Sequence, residues 1–131
     1  MNRSLLVIDD DERIALVLQR SLRDYAVDVA TSAEEALERV AARSFDGILC
    51  DLALPGRDGI AFFAEVADVR PGQEDRVRFM TGGAMSERDS TFLAHNAGRV
   101  LEKPFELERL RRFVRDFVGG PARDLPSMAT R

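Results

Sequence analysis

Short apolar runs alternate along this chain with longer stretches in which apolar residues return every three or four positions. Leu5 to Ile8 is apolar without alternation, the pattern of a strand buried on both faces. Comparable runs stand at Val27 to Thr31, at Ile48, Leu49 and Cys50, at Val77 to Thr81 and, more briefly, at Val100 to Glu102. Between them the period lengthens. Glu12 to Tyr25 places Ile14, Val17, Leu18, Ser21, Leu22 and Tyr25 on one helical stripe, which leaves Ala15 and Leu16 off it. Ser32 followed by Glu35 makes a capping box at the head of SAEEALERVAAR. Helices are also expected over Gly59 to Arg70, ahead of Pro71-Gly72, and over Ser86 to His95. The last helix runs from Leu107 to Val118, with Leu107, Leu110, the aliphatic part of Arg111, Val114 and Phe117 on its inner side.

Five strand-then-helix units in succession predict an α/β fold, a parallel sheet with helices on both faces and right-handed crossovers. From Gly119 the chain reads GGPARDLPSMATR, with little to bury, so residues 119–131 are expected to form a flexible tail to a domain over 1–118. Met1 so close to the first strand suggests a native start, and GGPARDLPS would serve as a linker to further sequence.

Polar residues at the strand ends change the picture, because open α/β sheets bind ligands beyond the carboxyl ends of their strands. VIDDDE carries the first strand straight into four acids. Such a run either holds a cation or caps a helix. Asp11 and Glu12 suit the start of a helix, where acids favour the dipole. Asp9 and Asp10 have counterparts at matching strand ends: Asp51 after the third, Thr81-Gly82-Gly83 after the fourth, Lys103-Pro104 after the fifth. Carboxylates about 4 Å apart repel by roughly 4 kcal/mol at an effective dielectric near 20, and a cation relieves this. An all-oxygen set suits Mg²⁺. Metal and Lys103 would neutralise a phosphoryl group, a hydroxyl would donate to it, and either Asp9 or Asp51 could be the nucleophile. Cys50 reads as core and His95 as a surface helix residue.

Composition narrows the class. The 131 residues carry a net charge of −4 and no dense Lys/Arg block, which argues against nucleic-acid binding by this domain. The single cysteine allows no intrachain disulfide, and the N-terminus holds neither a secretory nor a membrane-spanning apolar run. A cytoplasmic domain without membrane insertion is expected.

Four motifs in order, VIDDDE, DLALPGRDG, FMTGG and LEKPF, resemble the receiver domain of two-component response regulators, from about Ser4 to Val118. In DLALPGRDG, Pro55 and Gly59 stand four and eight residues past Asp51. The resemblance implies a flavodoxin-like sheet of order 2-1-3-4-5 and Asp51 as phosphoacceptor. It implies Mg²⁺ bound directly by Asp10, Asp51 and the Ala53 carbonyl, with Asp9 acting through water. Lys103 would pair with the phosphoryl group and Thr81 would hydrogen-bond it. The donor would be a phosphohistidine on a histidine kinase or histidine phosphotransfer protein, and an unidentified downstream protein would read the change. Docking would use the start of the first helix, Ala15 and Leu16 included, and the Pro104-Phe105 loop.

The chain departs from the family pattern in three places. Val100 stands where members commonly carry Tyr or Phe, Gly-Gly follows the Thr, and HNAGRV is more polar than usual. The Val100 and Glu102 side of the fifth strand is expected to be wet. Two other classes fit parts of the sequence. A receiver-like interaction module that signals without phosphate would keep the fold. A phosphohydrolase of the haloacid dehalogenase type would use Asp9 as nucleophile and Asp11 as acid, yet it needs a later acidic motif, and Lys103 is followed only by FELERLRRF.

Overall fold

The computed structural model describes residues 2–54, 59–82 and 87–120, apart from the side chains of Arg88, Asp89 and Ala97. Pro55, Gly83, Ser86 and the tail beyond Gly120, all named above, lie outside the described residues. Five parallel strands are β1 (Ser4–Ile8), β2 (Ala26–Ala30), β3 (Gly47–Asp51), β4 (Val77–Thr81) and β5 (Val100–Glu102). They lie side by side in the order β2-β1-β3-β4-β5. The helices between and after them are α1 (Glu12–Ser21), α2 (Ala33–Ala42), α3 (Gly59–Val69), α4 (Glu87–Ala94) and α5 (Leu107–Val118). This is the flavodoxin-like order expected from the resemblance.

Strand alternation divides the core in two. Leu6, Ile8, Ile48, Cys50, Val77 and Phe79 face α2, α3 and α4, where Ala36, Val40, Phe62, Val66 and Leu93 meet them. Leu5, Val7, Leu49, Met80 and Leu101 face α1 and α5, against Leu18, Leu22, Leu110, Val114 and Val118. Burying such a side chain contributes about 1.5–3 kcal/mol. The continuous runs of β1 and β3 feed both layers at once. At Gly47 a Cβ would come within 2.5 Å of Val118 Cγ2 and 2.8 Å of Phe117 Cε2, so glycine lets the end of α5 lie directly on the start of β3.

Helix starts follow their caps. Asp11 is the N-cap of α1 and accepts from the Arg13 amide at 3.0 Å. Ser32 Oγ accepts from the Glu35 amide at 3.1 Å, and Glu35 reaches back to the Thr31 amide, one residue beyond the N-cap.

Several details differ from the sequence reading. The stripe of α1 turns by one residue. Ala15 is fully buried, while Ile14 and Val17 are 40% and 58% exposed. A small alanine brings the helix close to the sheet and rotates its bulkier neighbours outward. Helix α1 also stops at Ser21, and β2 begins at Ala26 instead of Val27. In α5 the buried positions are Leu110, Val114 and Val118, spaced four apart. Leu107 and Arg111 are exposed, and Arg111 Nε donates to the Ser21 carbonyl. Val100 is half-buried and packs on the core near Phe63 and Phe92, so only Glu102 on that side is exposed.

Candidate functional site

Strands β1, β3, β4 and β5 end along one edge of the sheet, and their ends bring polar groups together. Asp9 follows β1 directly, its amide bonded to the Ala30 carbonyl of β2 at 3.1 Å. Its carboxylate is 1% exposed, with Oδ1 accepting from the Asp11 amide at 3.0 Å. Asp51 is the last residue of β3, and its Oδ1 accepts from the Ala53 amide at 2.9 Å. Lys103, one residue past β5, reaches both: its Nζ lies 3.1 Å from Asp51 Oδ2 and 3.5 Å from Asp9 Oδ2. Asp10 is exposed and offers an oxygen to the same cluster, so that one carboxylate oxygen each from Asp9, Asp10 and Asp51 lies within 4.8 Å of the others.

Three carboxylates against one ammonium leave a formal charge of −2. At 4.8 Å two carboxylates repel by roughly 3.5 kcal/mol at an effective dielectric near 20. Burial, helped by the nearby Asp51 charge, pushes the Asp9 carboxyl above its usual range, although the Asp11 amide and Lys103 oppose this. Burial works against the charge on Lys103, but its hydrogen bond to Asp51 and the Asp51 and Asp9 charges prevail, and its pKa is raised. Cys50, fully buried behind the site, is pushed well up by burial and by the two aspartates, so it stays a neutral thiol.

The described residues named from the sequence fall as follows. Asp9, Asp10, Asp51 and Lys103 converge. Ala53 stands beside them through its amide. Thr81 ends β4 opposite Glu102, next to the Asp51 end of β3, and its half-buried side chain makes no hydrogen bond to the cluster. His95 is exposed, with Nδ1 2.9 Å from the Thr91 carbonyl.

One feature escaped the sequence. A Cβ at Gly82 would stand 2.7 Å from Lys103 Cβ and 3.2 Å from its Cδ, so this glycine leaves room for the lysine stem on its way to Asp51. The only hint in the sequence was a glycine directly after a strand end. An open groove of about 860 Å³ also leads onto the cluster, lined by Ile14, Val17, Pro104 and Phe105 as well as Asp51, Ala53, Gly82 and Lys103. Asp9 does not line it. Ala15 is buried, which removes it from the expected docking surface, and Leu16 is exposed but lies outside the groove.

The comparisons with known proteins agree with this geometry. The family model described as the response regulator receiver domain matches residues 5–115. The transcriptional regulatory protein ZraR of Escherichia coli O157:H7 is 36% identical over 112 residues, covering 84% of this chain and 25% of that protein. DltR of Streptococcus agalactiae serotype III is 31% identical over 113 residues, 85% of this chain and 50% of DltR. The chain thus spans between a quarter and a half of these relatives. Among solved structures, a CheY-like receiver domain protein from Methanospirillum hungatei superposes with a TM-score of 0.72 at 26% identity, covering 88% of this chain and 93% of that one. The receiver domain of the sensor histidine kinase PA1611 from Pseudomonas aeruginosa, solved with a magnesium ion in its active site cleft, shares the fold. Its TM-score is 0.70 at 23% identity, with 92% and 100% of the two chains covered. Receiver domains of response regulators receive phosphoryl groups from histidine kinases. This chain belongs to that family: it is a receiver domain of the two-component response regulators.

Proposed function

We propose that Asp51 is the phosphoacceptor, taking a phosphoryl group from a phosphohistidine on a histidine kinase or histidine phosphotransfer protein. The observation that carries this reading is the difference in access between the two buried aspartates. Asp51 lines the open groove together with Ala53, Gly82 and Lys103, whereas Asp9 is 1% exposed behind it. A donor arriving through the groove meets Asp51 first.

In the transfer an Asp51 carboxylate oxygen forms the new O–P bond as the N–P bond to the donor imidazole breaks, and the imidazole leaves. Lys103 already holds Asp51 Oδ2 at 3.1 Å, so its ammonium is placed to pair with the phosphoryl oxygens. The Ala53 amide fixes the other carboxylate oxygen and so orients the attacking group. Thr81, at the neighbouring strand end, moves toward the phosphoryl oxygens and shifts the population of the loops around it.

The donor set fits Mg²⁺. Three carboxylate oxygens within 4.8 Å carry more negative charge than Lys103 balances, and hard oxygen ligands suit this ion. Asp10, Asp51 and the Ala53 carbonyl would hold it directly, with Asp9 through water. When bound, Mg²⁺ supplies neutralisation of the phosphoryl oxygens.

This reading takes 1–118 as the receiver unit, residues 119–131 as a tail, and the cytoplasm as its location. Among the described residues no helix is long and apolar enough to cross a membrane. The groove lined by Ile14, Val17 and Phe105 receives the donor protein. The test is incubation with acetyl phosphate and Mg²⁺ followed by mapping of acid-labile phosphate. Label on Asp9 with release of free phosphate would indicate a phosphohydrolase. No label with any donor would indicate an interaction module that works without phosphate.

A further inference from the structure

The two edges of the sheet are finished differently. At β2 the outward carbonyl of Val27 accepts from Gln19 Nε2 at 3.0 Å. Asp28 on the same strand binds Arg43 at 2.9 Å and Arg39 at 3.9 Å. A side-chain cap and a charged cluster close that edge to a further strand. At the other edge the Lys103 amide bonds back to the Thr81 carbonyl, which fixes the alternation of β5. Leu101 and Lys103 turn their backbone groups toward β4, and Val100 and Glu102 turn theirs away from the sheet. Among the described residues, the Val100 carbonyl and the Glu102 amide and carbonyl meet no hydrogen-bond partner.

Beside this open edge runs a groove of about 300 Å³ between β5 and α5, lined by Val100, Leu101, Arg109, Arg112, Phe113 and Asp116. Arg109 and Arg112 are exposed, and neither has an ion-pair or hydrogen-bond partner among the described residues. In a chain of net charge −4 these are two unpaired guanidinium groups beside an apolar floor and an unpaired backbone.

We propose that the β5 edge, with Arg109 and Arg112, docks an extended segment of a partner protein in which acidic and apolar residues alternate. The segment adds to the sheet as a sixth strand. Its backbone pairs with the outward groups of Val100 and Glu102. On the α5 side its carboxylates meet Arg109 and Arg112, which bind carboxylates in a planar, two-pronged way. On the opposite side its apolar residues lie beside half-buried Val100 and Phe92. Asp116 in the groove and exposed Glu102 on the other side of β5 set this surface against a continuous phosphate backbone, so a protein segment fits better than a nucleic acid. The inference does not depend on Asp51 being phosphorylated.

The probe is a fluorescein-labelled peptide of alternating valine and aspartate, titrated with the full chain and followed by anisotropy. The same peptide with lysine for aspartate, and one N-methylated on alternate amides, serve as controls. The aspartate peptide should bind at least about tenfold more tightly than either control. It should weaken by at least about tenfold against the double variant Arg109→Glu, Arg112→Glu, whose altered side chains are exposed. Amide NMR shifts should concentrate at Val100 to Glu102. Equal binding of the N-methylated peptide would rule out strand addition. Equal binding of the lysine peptide, or an unaffected double variant, would remove the arginines from the site. Tighter binding of a single-stranded oligonucleotide to the same arginines would overturn the choice of partner class. A dimer in sedimentation that the double variant breaks and the peptide cannot enter would assign the edge to a second copy of this chain instead.

Discussion

Replacing Lys103 by methionine removes one charge and keeps a stem of similar length against Gly82. At an effective dielectric near 20, an ammonium 3.1 Å from Asp51 Oδ2 and 3.5 Å from Asp9 Oδ2 gains roughly 5 kcal/mol from each in gross terms. Most of that is cancelled by desolvation, and the Lys103 side chain is 26% exposed, so solvent screens it further. The net cost of Lys103→Met is therefore set at about 1–3 kcal/mol, between the values for exposed and buried pairs. At pH 7 without Mg²⁺ this lowers the urea midpoint by about 1 M with an unchanged slope. Mg²⁺ restores more stability to the variant than to the wild type, because it replaces the lost positive charge. The pH dependence has a fixed sign. The folded pKa of Lys103 is raised above 10.5, so its contribution is present at neutral pH and fades as pH rises through the folded value. On the acid side Asp9 has a folded pKa raised above 3.8 and takes up a proton first, so the two proteins converge as pH falls. Equal urea midpoints at pH 7 without Mg²⁺, or a deficit that Mg²⁺ leaves untouched, would refute this electrostatic account.

Gly82→Ala pushes a methyl group into the Lys103 stem, and labelling by acetyl phosphate should slow by about tenfold, a shift of about 1.4 kcal/mol, with the far-UV spectrum unchanged. An unaltered rate would show that the stem yields freely. Val17→Glu, at a position 58% exposed in the groove, should slow transfer from a phosphorylated histidine kinase while leaving acetyl phosphate labelling intact. Equal loss with both donors would remove the groove from docking. Gly47→Ala forces a Cβ against Val118, Phe117 and Leu5, and thermal or urea unfolding should show a loss of about 1–3 kcal/mol.

The strands were legible because β1 and β3 are buried on both faces and their apolar runs admit no other period. The clustering of Asp9, Asp10, Asp51 and Lys103 was legible because they sit where strands end, and a parallel sheet carries those ends to one edge. The inner face of α1 was read one residue off. Periodicity weighed Ile14 and Val17 by their size, while the packing chose Ala15 for its smallness. Arg111 was placed inward by spacing, yet its guanidinium bonds the Ser21 carbonyl from the surface. The approach of Gly82 to Lys103 and the cap of Gln19 on Val27 join residues 21 and 8 positions apart, and no local pattern announces either. The alternation of Glu102 with Val100 suggested a wet edge, whereas Val100 packs half-buried on the core, where Phe92 of α4 stacks edge-on at 5.6 Å against Phe79, the strand partner of Val100.

The most direct measurement is incubation of the wild type, Asp51→Asn and Asp9→Asn proteins with acetyl phosphate and Mg²⁺, read by intact mass and borohydride trapping. The account predicts one acid-labile phosphoryl group on the wild type, trapped at Asp51 and absent from Asp51→Asn. Full labelling of Asp51→Asn, or label trapped at Asp9, would contradict it.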